Sequence, residues 1–375
     1  MLRAEGRCVI DPLTTFCPNM DCYARGQIGE GNIRIHSRKR ARYRCTVCDK
    51  TFSARASTIF FRRRTAEQII TQVVTLVSHG CPIPAIEVAF ELQAQTVRDW
   101  VDAAGAQAEA FHHAEVVQPR DLVQVQADEI HVKTQAGVLW MAMAMMVSTR
   151  LWLGGALSAH RDRDLIRRLV AIVAACAQLG PLLFVSDGLV TYIDAVRKAF
   201  RTRQTGTGGR PRLIIWPDLA IAQVVKQYAG WAVKGTSHRL VQGSVEVFLT
   251  LLWSTKGCQV LNTAYIERLN GTFRSRLAVL GRRTRCSARR ATRVARGMYL
   301  VGTVYNFCST HASLTLKDGQ VQTPAMASGI TNHVWTIDEL LHHQVPPPPW
   351  EPPRRRGRRS RELQALIDRW CEHHR

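Results

Sequence analysis

The sequence lacks any apolar run of the length that a bilayer requires. Its first residues, MLRAEGRCVIDPLTTF, contain no signal-like hydrophobic stretch. The most apolar segment, GVLWMAMAMMV, is too short to span a membrane and is followed at once by Ser-Thr-Arg. This pattern predicts a buried strand followed by a turn, and it argues against a membrane as the partner of the protein.

Acidic residues are scarce relative to basic ones. The 375 residues include 51 Lys and Arg but only 29 Asp and Glu, which leaves a formal net charge of +22. Such an excess favours a polyanionic partner, either nucleic acid or an anionic membrane surface, and without a membrane signal we expect nucleic acid. The hydrophobic fraction of 46% is ample for two or three domains with their own cores.

The cysteines do not follow the regular pattern of a secreted disulfide scaffold. Their number is 11, which is odd, and most are scattered, so we expect a reducing cytoplasmic compartment. Four form two close pairs separated by 22 residues: Cys17, Cys22, Cys45 and Cys48. Two turns that each supply two thiolates can close around a tetrahedral ion, so we predict a structural Zn²⁺. Cys8 and His36 are candidate substitute ligands, and the alternative is four free thiols in a disordered arm.

The segment between the two cysteine pairs is basic. It contains Arg38, Lys39, Arg40 and Arg42 within the run IHSRKRARYRC. A basic loop on a small metal module suits contact with the DNA backbone and not catalysis. These four side chains are therefore predicted DNA contacts.

Residues 65–105 have the size and order of a helix-turn-helix. Thr65 and Gln68 form a capping-box pattern ahead of the first helix. The last helix exposes Gln95 and Arg98, which can read base edges in the major groove. An ordinary helical linker has the same spacing, but the basic segments on both sides favour a DNA reader.

From about residue 120 the periodicity changes from helices to strands. Three strands come first, followed by an amphipathic helix, the buried run PLLFVSDG and another helix. This order predicts a mixed α/β domain. Residues 201–211 are expected to form a flexible loop, and strands such as HRLVQGSVEVFLTLLW are expected to fill 201–260. From residue 345 a proline-rich linker leads into a basic run.

Three acidic residues lie where a catalytic metal is expected. Asp128 is on the first strand, Asp187 ends the run PLLFVSDG, and Glu267 is on a later helix whose polar face also carries Asn270 and Arg274. Converging carboxylates repel each other unless cations neutralise them. Two Mg²⁺ (or Mn²⁺) ions about 4 Å apart can clamp the attacking and leaving oxygens of a phosphodiester. For each acid alone, a solvated or ion-paired side chain is the alternative.

Glu129 follows Asp128 directly and competes for the same role. Strand alternation sends it to the opposite face of the sheet, so we expect it to be dispensable for chemistry. Glu267, on its separate helix, is therefore the predicted third ligand.

The three acidic motifs ADEIHV, FVSDGLVTY and YIERLNGTFRSRLAVLGRRT, in that order, resemble the DDE transposases of bacterial insertion sequences, close to the insertion-sequence-one type. A zinc ribbon and a helix-turn-helix precede the catalytic domain in that family. The segments YNFCSTHASL and TPAMASGIT resemble the ending common in transposase and integrase cores. The resemblance covers residues of roughly 15–340 and implies an RNase H-like fold with Asp128, Asp187 and Glu267 in the three acidic positions.

The overall expectation is an α/β protein whose RNase H-like catalytic core is preceded by a small zinc ribbon and a helix-turn-helix. We predict the zinc ribbon at residues 1–60 and the helix-turn-helix at 61–115. The catalytic core is predicted at 116–335, and the proline-rich linker with its basic tail at 336–375. The resemblance implies Mg-dependent strand cleavage and strand transfer at the terminal inverted repeats of the protein's own element. Arg268 and Arg274 are candidate phosphate contacts there.

Two other functions fit the same residues. A zinc-finger DNA-binding regulator with an inactive core would keep the DNA contacts and lose cleavage. A resident RNase H-like nuclease or resolvase would cut branched DNA without joining it. For the transposase, the expected partners are element ends and target double-stranded DNA, in a cytoplasmic, nucleoid-associated dimer or higher oligomer.

Overall fold

The chain forms two compact units in a computed structural model that describes residues 11–135, 137–204, 212–230, 232–255, 260–281, 288–352, 357 and 360–373. The smaller unit comprises residues up to 65 together with those from 342 onward, and the larger unit comprises residues 66–341. Most of the predicted helix-turn-helix segment thus belongs to the same compact unit as the strands that follow it. Among the described residues, no helix has the length and hydrophobicity needed to cross a membrane.

The smaller unit is built around a three-stranded antiparallel sheet. Its strands, in spatial and chain order, are β1 (Ile33–Ser37), β2 (Arg42–Cys45) and β3 (Thr51–Ser53). Three of the four paired cysteines are buried in its core, beside Ala24, Ile33 and Tyr43. A core with so few apolar side chains is too small to stabilise a fold by burial alone, so a metal is expected to contribute.

The C-terminal segment of residues 342–352, here called the C-terminal strap, lies along this small sheet unit. The side-chain amide of Gln344 donates to the carbonyl oxygens of Ala54 and Ala56, at 2.8 and 2.6 Å. The guanidinium of Arg25 donates to the Pro348 carbonyl at 2.8 Å. The strap is therefore bound along its length, although its proline content predicted a linker.

Three helices open the larger unit: α1 (Glu67–Ser78), α2 (Ile83–Phe90) and α3 (Ala94–Glu115). The apolar stripe of α1 is buried as its spacing predicts. The α2–α3 turn is tight because Glu91 adopts a left-handed conformation with φ of +52° and the Glu87 carboxylate accepts from the Ala94 N–H. The predicted capping box is wrong, because α1 follows Ala66 and no side chain caps it.

A six-stranded mixed sheet follows, with the spatial order β11-β10-β7-β4-β5-β6. Its strands are β4 (Val123–Thr134), β5 (Gly137–Met146), β6 (Trp152–Ser158), β7 (Leu182–Asp187), β10 (Leu219–Ala229) and β11 (Ala232–Gln242). A separate hairpin pairs β8 (Arg201–Gln204) with β9 (Arg212–Ile215). The helices after α3 are α4 (Arg163–Cys176), α5 (Thr191–Ala199), α6 (Val245–Ser254), α7 (Ala264–Arg276), α8 (Ala291–Phe307), α9 (Pro324–Ala327), α10 (Ile337–His342) and α11 (Arg361–His373).

The chain leaves the middle of this sheet in two directions. β4 and β7 are adjacent and parallel, and β4 continues to β5 on one side while β7 continues through α5 to β10 on the other. β7 ends at Asp187, whereas β4 extends further, to Thr134. A point at which the strand order reverses is the position in which an open α/β sheet most readily binds a ligand.

Helices cover both faces of the sheet. On one face, β4 and β5 share a core with α3, α7 and α8, and β7 and β10 share a core with α6. On the other face, Phe184 of β7 packs against Tyr192 of α5, and α4 packs against α5. The mixed α/β class expected from the sequence is confirmed.

Two local predictions between residues 201 and 260 are wrong. Residues 201–204 form strand β8 and not a loop, while residues 205–211 of the predicted loop lie outside the described residues. The segment VEVFLTLLWS forms helix α6 and not a strand, and its first turn is capped by the Ser244 hydroxyl, which accepts from the Val247 N–H at 3.2 Å.

Candidate functional site

The four paired cysteines come together as one cluster in the smaller unit. The Sγ atoms of Cys17 and Cys48 are 3.7 Å apart, those of Cys22 and Cys45 are 3.9 Å apart, and all four lie within 4.8 Å of one another. A zinc ion with Zn–S bonds of about 2.3 Å in tetrahedral geometry needs sulfur atoms separated by about 3.8 Å. The predicted ligand set fits zinc.

The charge on this cluster also suits a metal. Hydrogen bonds from the Cys17 and Cys22 thiols lower the pKa of Cys45, which favours a thiolate at this sulfur. Thiolate is the form that binds zinc. Of the two substitute ligands, Cys8 lies outside the described residues, and His36 is not a member of the cluster.

The predicted backbone contacts occupy the β1–β2 hairpin of the same unit. Arg38, Lys39 and Arg40 are exposed in the turn, whereas the guanidinium of Arg42 donates to the Thr51 hydroxyl at 2.7 Å. Arg40 and Arg42 line a cavity of about 430 Å³ together with His36 and Ser37. Cys45 follows on β2, so a metal at the cysteines would hold the base of this basic hairpin.

The predicted base-reading side chains lie near the start of α3. Gln95 is exposed, but its amide donates to the Asp99 carboxylate at 2.6 Å, and Arg98 is half-buried. On the next turn Asp102 pairs with Arg293 of α8 at 3.1 Å, so α3 is anchored to the larger unit along its length. A reading role for Gln95 and Arg98 stays a prediction.

Asp128 and Asp187 lie side by side where β7 ends beside the middle of β4. Gln126 of β4 pairs with Val185 of β7 in a parallel register, and two residues further along the strands this register brings Asp128 opposite Asp187. The carboxylates of Asp128, Glu129 and Asp187 have oxygen atoms within 4.8 Å of one another. We call these three residues the acid cluster, and such a set of carboxylates can hold a divalent metal.

Glu129 belongs to this cluster, which strand alternation did not predict. Its buried side chain accepts two hydrogen bonds from Arg161, at 2.6 and 2.9 Å. The same Nη2 atom of Arg161 binds Asp187 at 2.8 Å. One guanidinium therefore bridges the two carboxylates from β4 to β7, so Glu129 is not remote from the site although alternation sends it to the opposite face.

The cluster keeps an excess of negative charge. Burial, with the adjacent Glu129 charge next in size, raises the pKa of Asp128 to about 7. The Oδ1 atom of Asn270 is buried nearby without a hydrogen-bond partner among the described residues. Three carboxylates against one guanidinium, with an unpartnered amide oxygen beside them, form a donor set that fits a hard divalent cation.

Glu267 lies on α7 and is paired with lysine. Its carboxylate accepts from Lys226 of β10 at 2.6 Å and from the Thr263 hydroxyl at 2.8 Å. Burial opposes ionisation, but these two hydrogen bonds outweigh it and lower the pKa of Glu267. Glu267 is outside the 4.8 Å cluster, but its charge reaches Asp128, whose pKa it raises slightly.

Asn270 connects α7 to the acid cluster. It is buried, one turn after Glu267, and its amide donates to the Asp128 carboxylate at 2.8 Å. Of the two candidate phosphate contacts on α7, Arg268 is exposed and lines a separate cavity, whereas Arg274 is half-buried. The polar face predicted for this helix is thus directed in part at Asp128.

Sequence reasoning missed Arg161, Lys226 and the role of Glu129. Nothing in the segment HRDRD around Arg161 indicates which acids this residue pairs with. A comparison of the chain with models of known protein families finds no match, and neither does a comparison with curated proteins.

Proposed function

We propose that this protein is a metal-dependent DNA transposase of the DDE type, which cuts DNA at the ends of its own element and joins them to target DNA. The observation that carries the proposal is the placement of Asp128 and Asp187 side by side where β7 ends beside the middle of β4, at the point where the strand order reverses. Paired carboxylates at such a point suit phosphoryl transfer by bound metal ions.

The surrounding architecture supports the finer parts of this proposal. A mixed sheet with helices on both faces and acids at its centre is compatible with an RNase H-like core. The α2–α3 pair, with its tight turn, is compatible with a helix-turn-helix. The cysteine cluster and the exposed hairpin arginines suit a zinc ribbon that contacts phosphates.

In the proposed mechanism Asp128, Asp187 and Glu267 would hold divalent metal. Bound Mg²⁺ would stabilise the charge that develops on the attacking and leaving oxygens of the phosphodiester. Asn270 fixes the rotamer of Asp128, and Arg161 fixes Asp187 against Glu129. Lys226 holds Glu267 beside the site and has to release its carboxylate before Glu267 can become a ligand.

One observation favours a DNA-binding regulator with an inactive core as the second candidate. Glu129 and Asp187 already share the cation of Arg161, and Glu267 has that of Lys226. Protein cations at carboxylates can replace a metal permanently, in which case the core would stabilise the fold and cut nothing.

A strand-transfer assay tests the proposal. Purified protein is incubated with Mg²⁺ and DNA carrying the element ends, and cleaved and joined strands are separated by electrophoresis. We expect both products from the wild type and neither from Asp187→Asn, with DNA binding retained. Binding without products at any Mg²⁺ or Mn²⁺ concentration would establish the regulator, and cleavage of branched DNA without joining would establish the nuclease.

A further inference from the structure

A cavity of about 610 Å³ lies beside α7, within the larger unit. Arg268, Leu269 and Thr272 contribute to it from α7, and Arg150 contributes from the turn after β5. Arg268 directly follows Glu267, so α7 presents one side to the acid cluster through Asn270 and another side to this cavity. The cavity therefore lies close to the site at which the proposed cleavage occurs.

The cavity is positively charged without an acidic counterpart. Arg150 and Arg268 line it, no Asp or Glu is among the lining residues, and neither arginine forms an ion pair in the part of the chain that the structure describes. The guanidinium of Arg150 stacks on the Tyr265 ring at 3.8 Å and also donates to the Val147 carbonyl. Two guanidinium groups in a concave site, one of them held by aromatic and backbone contacts, are suited to an anion.

The remainder of the lining is suited to a flat, partly apolar group. Met145 and Leu269 are buried, and the Tyr305 ring lies edge-on to His311 with ring centroids 4.7 Å apart. Burial, together with the positive charges of Arg268 and Arg150, lowers the pKa of His311 to about 4. The imidazole is therefore neutral at pH 7 and can both donate and accept a hydrogen bond at the edge of a base.

We propose that this cavity binds a single unpaired nucleotide of the DNA, with its phosphate on Arg150 and Arg268 and its base against the aromatic and apolar lining. A cavity of this volume accommodates one nucleotide but excludes a duplex. The inference rests on the proposed function for the identity of the ligand as DNA. It adds a site that recognises unpaired DNA next to the reacting bond.

The experiment compares affinity for blunt duplex DNA with affinity for the same duplex carrying three unpaired nucleotides at one end. Binding is measured by fluorescence anisotropy with full-length protein and no added divalent metal, so that no strand is cut. We expect the wild type to prefer the unpaired end by about tenfold, within the range of one base–aromatic stack. Arg268→Ala, at an exposed position, and Tyr265→Leu should each remove most of that preference and retain binding to blunt DNA.

The matched control is Arg167→Ala, which removes an exposed arginine of α4 that is paired with Asp164. It should keep the tenfold preference. A wild type without preference, or variants that lose affinity for both DNAs equally, would overturn the inference. If the wild type prefers the unpaired end but cleaves no DNA in the Mg²⁺ assay, only the proposed chemistry is refuted. If it cleaves DNA but shows no preference for the unpaired end, only the nucleotide site in the cavity is refuted.

Discussion

Every carboxylate around the acid cluster has a partner that fixes its orientation. Asn270 holds Asp128, Arg161 holds both Glu129 and Asp187, and Lys226 holds Glu267. The sequence could predict Asp128 and Asp187, because each lies on or ends a strand whose apolar pattern is visible. It could not predict the bridge through Arg161, which joins side chains from three segments and exists only once the sheet has formed.

Removing the charge of Glu129 and removing that of Glu267 should have different effects on strand cleavage. Glu267→Gln should abolish strand cleavage at every Mg²⁺ concentration, because a lost ligand misplaces the ion that stabilises the transition state. Glu129→Gln should still cleave but need about tenfold more Mg²⁺, because it weakens the negative field that attracts the ion. Rates measured across a Mg²⁺ titration separate the two variants. If Glu129→Gln is inactive throughout while Glu267→Gln cleaves, Glu129 is the third ligand.

The buried imidazole of His112 on α3 predicts acid sensitivity. It is fully buried, and its Nε2–H donates to the Leu153 carbonyl at 3.0 Å. Burial lowers the pKa of His112 to about 3, from 6.5 in the unfolded chain. Below pH 6.5 the His112 imidazole binds a proton in the unfolded state, whereas in the folded state it does so only at about pH 3. The free energy of unfolding therefore decreases as pH falls through this window.

For the wild type, the free energy of unfolding should fall by about 2 kcal/mol more between pH 7.5 and pH 5 than for His112→Gln, whose amide can keep the hydrogen bond. Chemical denaturation of the full-length proteins at the two pH values, followed through the unfolding of the larger unit, gives the difference in free energy of unfolding. His160→Gln, which removes an exposed imidazole, serves as the control and should follow the wild type. Parallel pH dependences for wild type and His112→Gln would contradict the assignment.

At the scale of elements, segments with a clear period or clear boundaries were predicted well, and a mostly apolar segment without either was predicted poorly. The strands β4 to β7 and the helices α4 and α5 occur where the pattern places them. The run VEVFLTLLWS is too uniformly apolar for its period to distinguish a strand from a helix. Ser244 at its N-cap was the available signal for helix α6.

Gly26 allows the C-terminal strap to lie close to the turn that carries two of the paired cysteines. Its φ is +72°, and a Cβ placed there would lie 2.3 Å from the Pro347 carbonyl oxygen. Its N–H donates to the carbonyl of Cys17, a predicted zinc ligand, at 3.2 Å. A side chain at this position must therefore displace either the strap or the turn that carries Cys17 and Cys22.

Gly26→Ala should accelerate loss of zinc to a chelator and increase proteolysis of the strap. Gly31→Ala is a close control, because Gly31 has a similar φ of +68° but a Cβ placed there would meet no atom within 4 Å. Both substitutions carry the strain of a left-handed alanine, roughly 1 kcal/mol or more, and only Gly26→Ala adds the clash. Equal zinc release from the two variants would show that the strap does not support the metal site.

At the scale of the whole molecule, described segments near both ends of the sequence pack within one unit. Arg25 contacts Pro348 across 323 positions of sequence, and the Trp350 and Trp370 rings lie 6.3 Å apart in the same unit. Periodicity reports only local structure, so no reading of the proline-rich segment alone could place it there. The coarse order of cysteine module, helices and sheet was accessible because each part carries its own local pattern.

The charge of the whole chain predicts a steep dependence of DNA affinity on salt. Only basic side chains that contact phosphate should contribute to this dependence. Each phosphate contact contributes about 0.9 to the slope of log affinity against log salt concentration. Arg38 and Arg40 are exposed on the β1–β2 hairpin, so replacing both with Gln should reduce the slope by about 1.8 for specific and random DNA alike. Replacing Arg167 and Lys198 makes the same change in net charge but removes side chains that are already paired with Asp164 and Asp194.

Titrations by anisotropy between low and physiological salt should show the reduced slope only in the hairpin variant, because only phosphate contacts release counterions. An equal reduction in both variants would mean that affinity follows net charge and that the hairpin is not the contact surface.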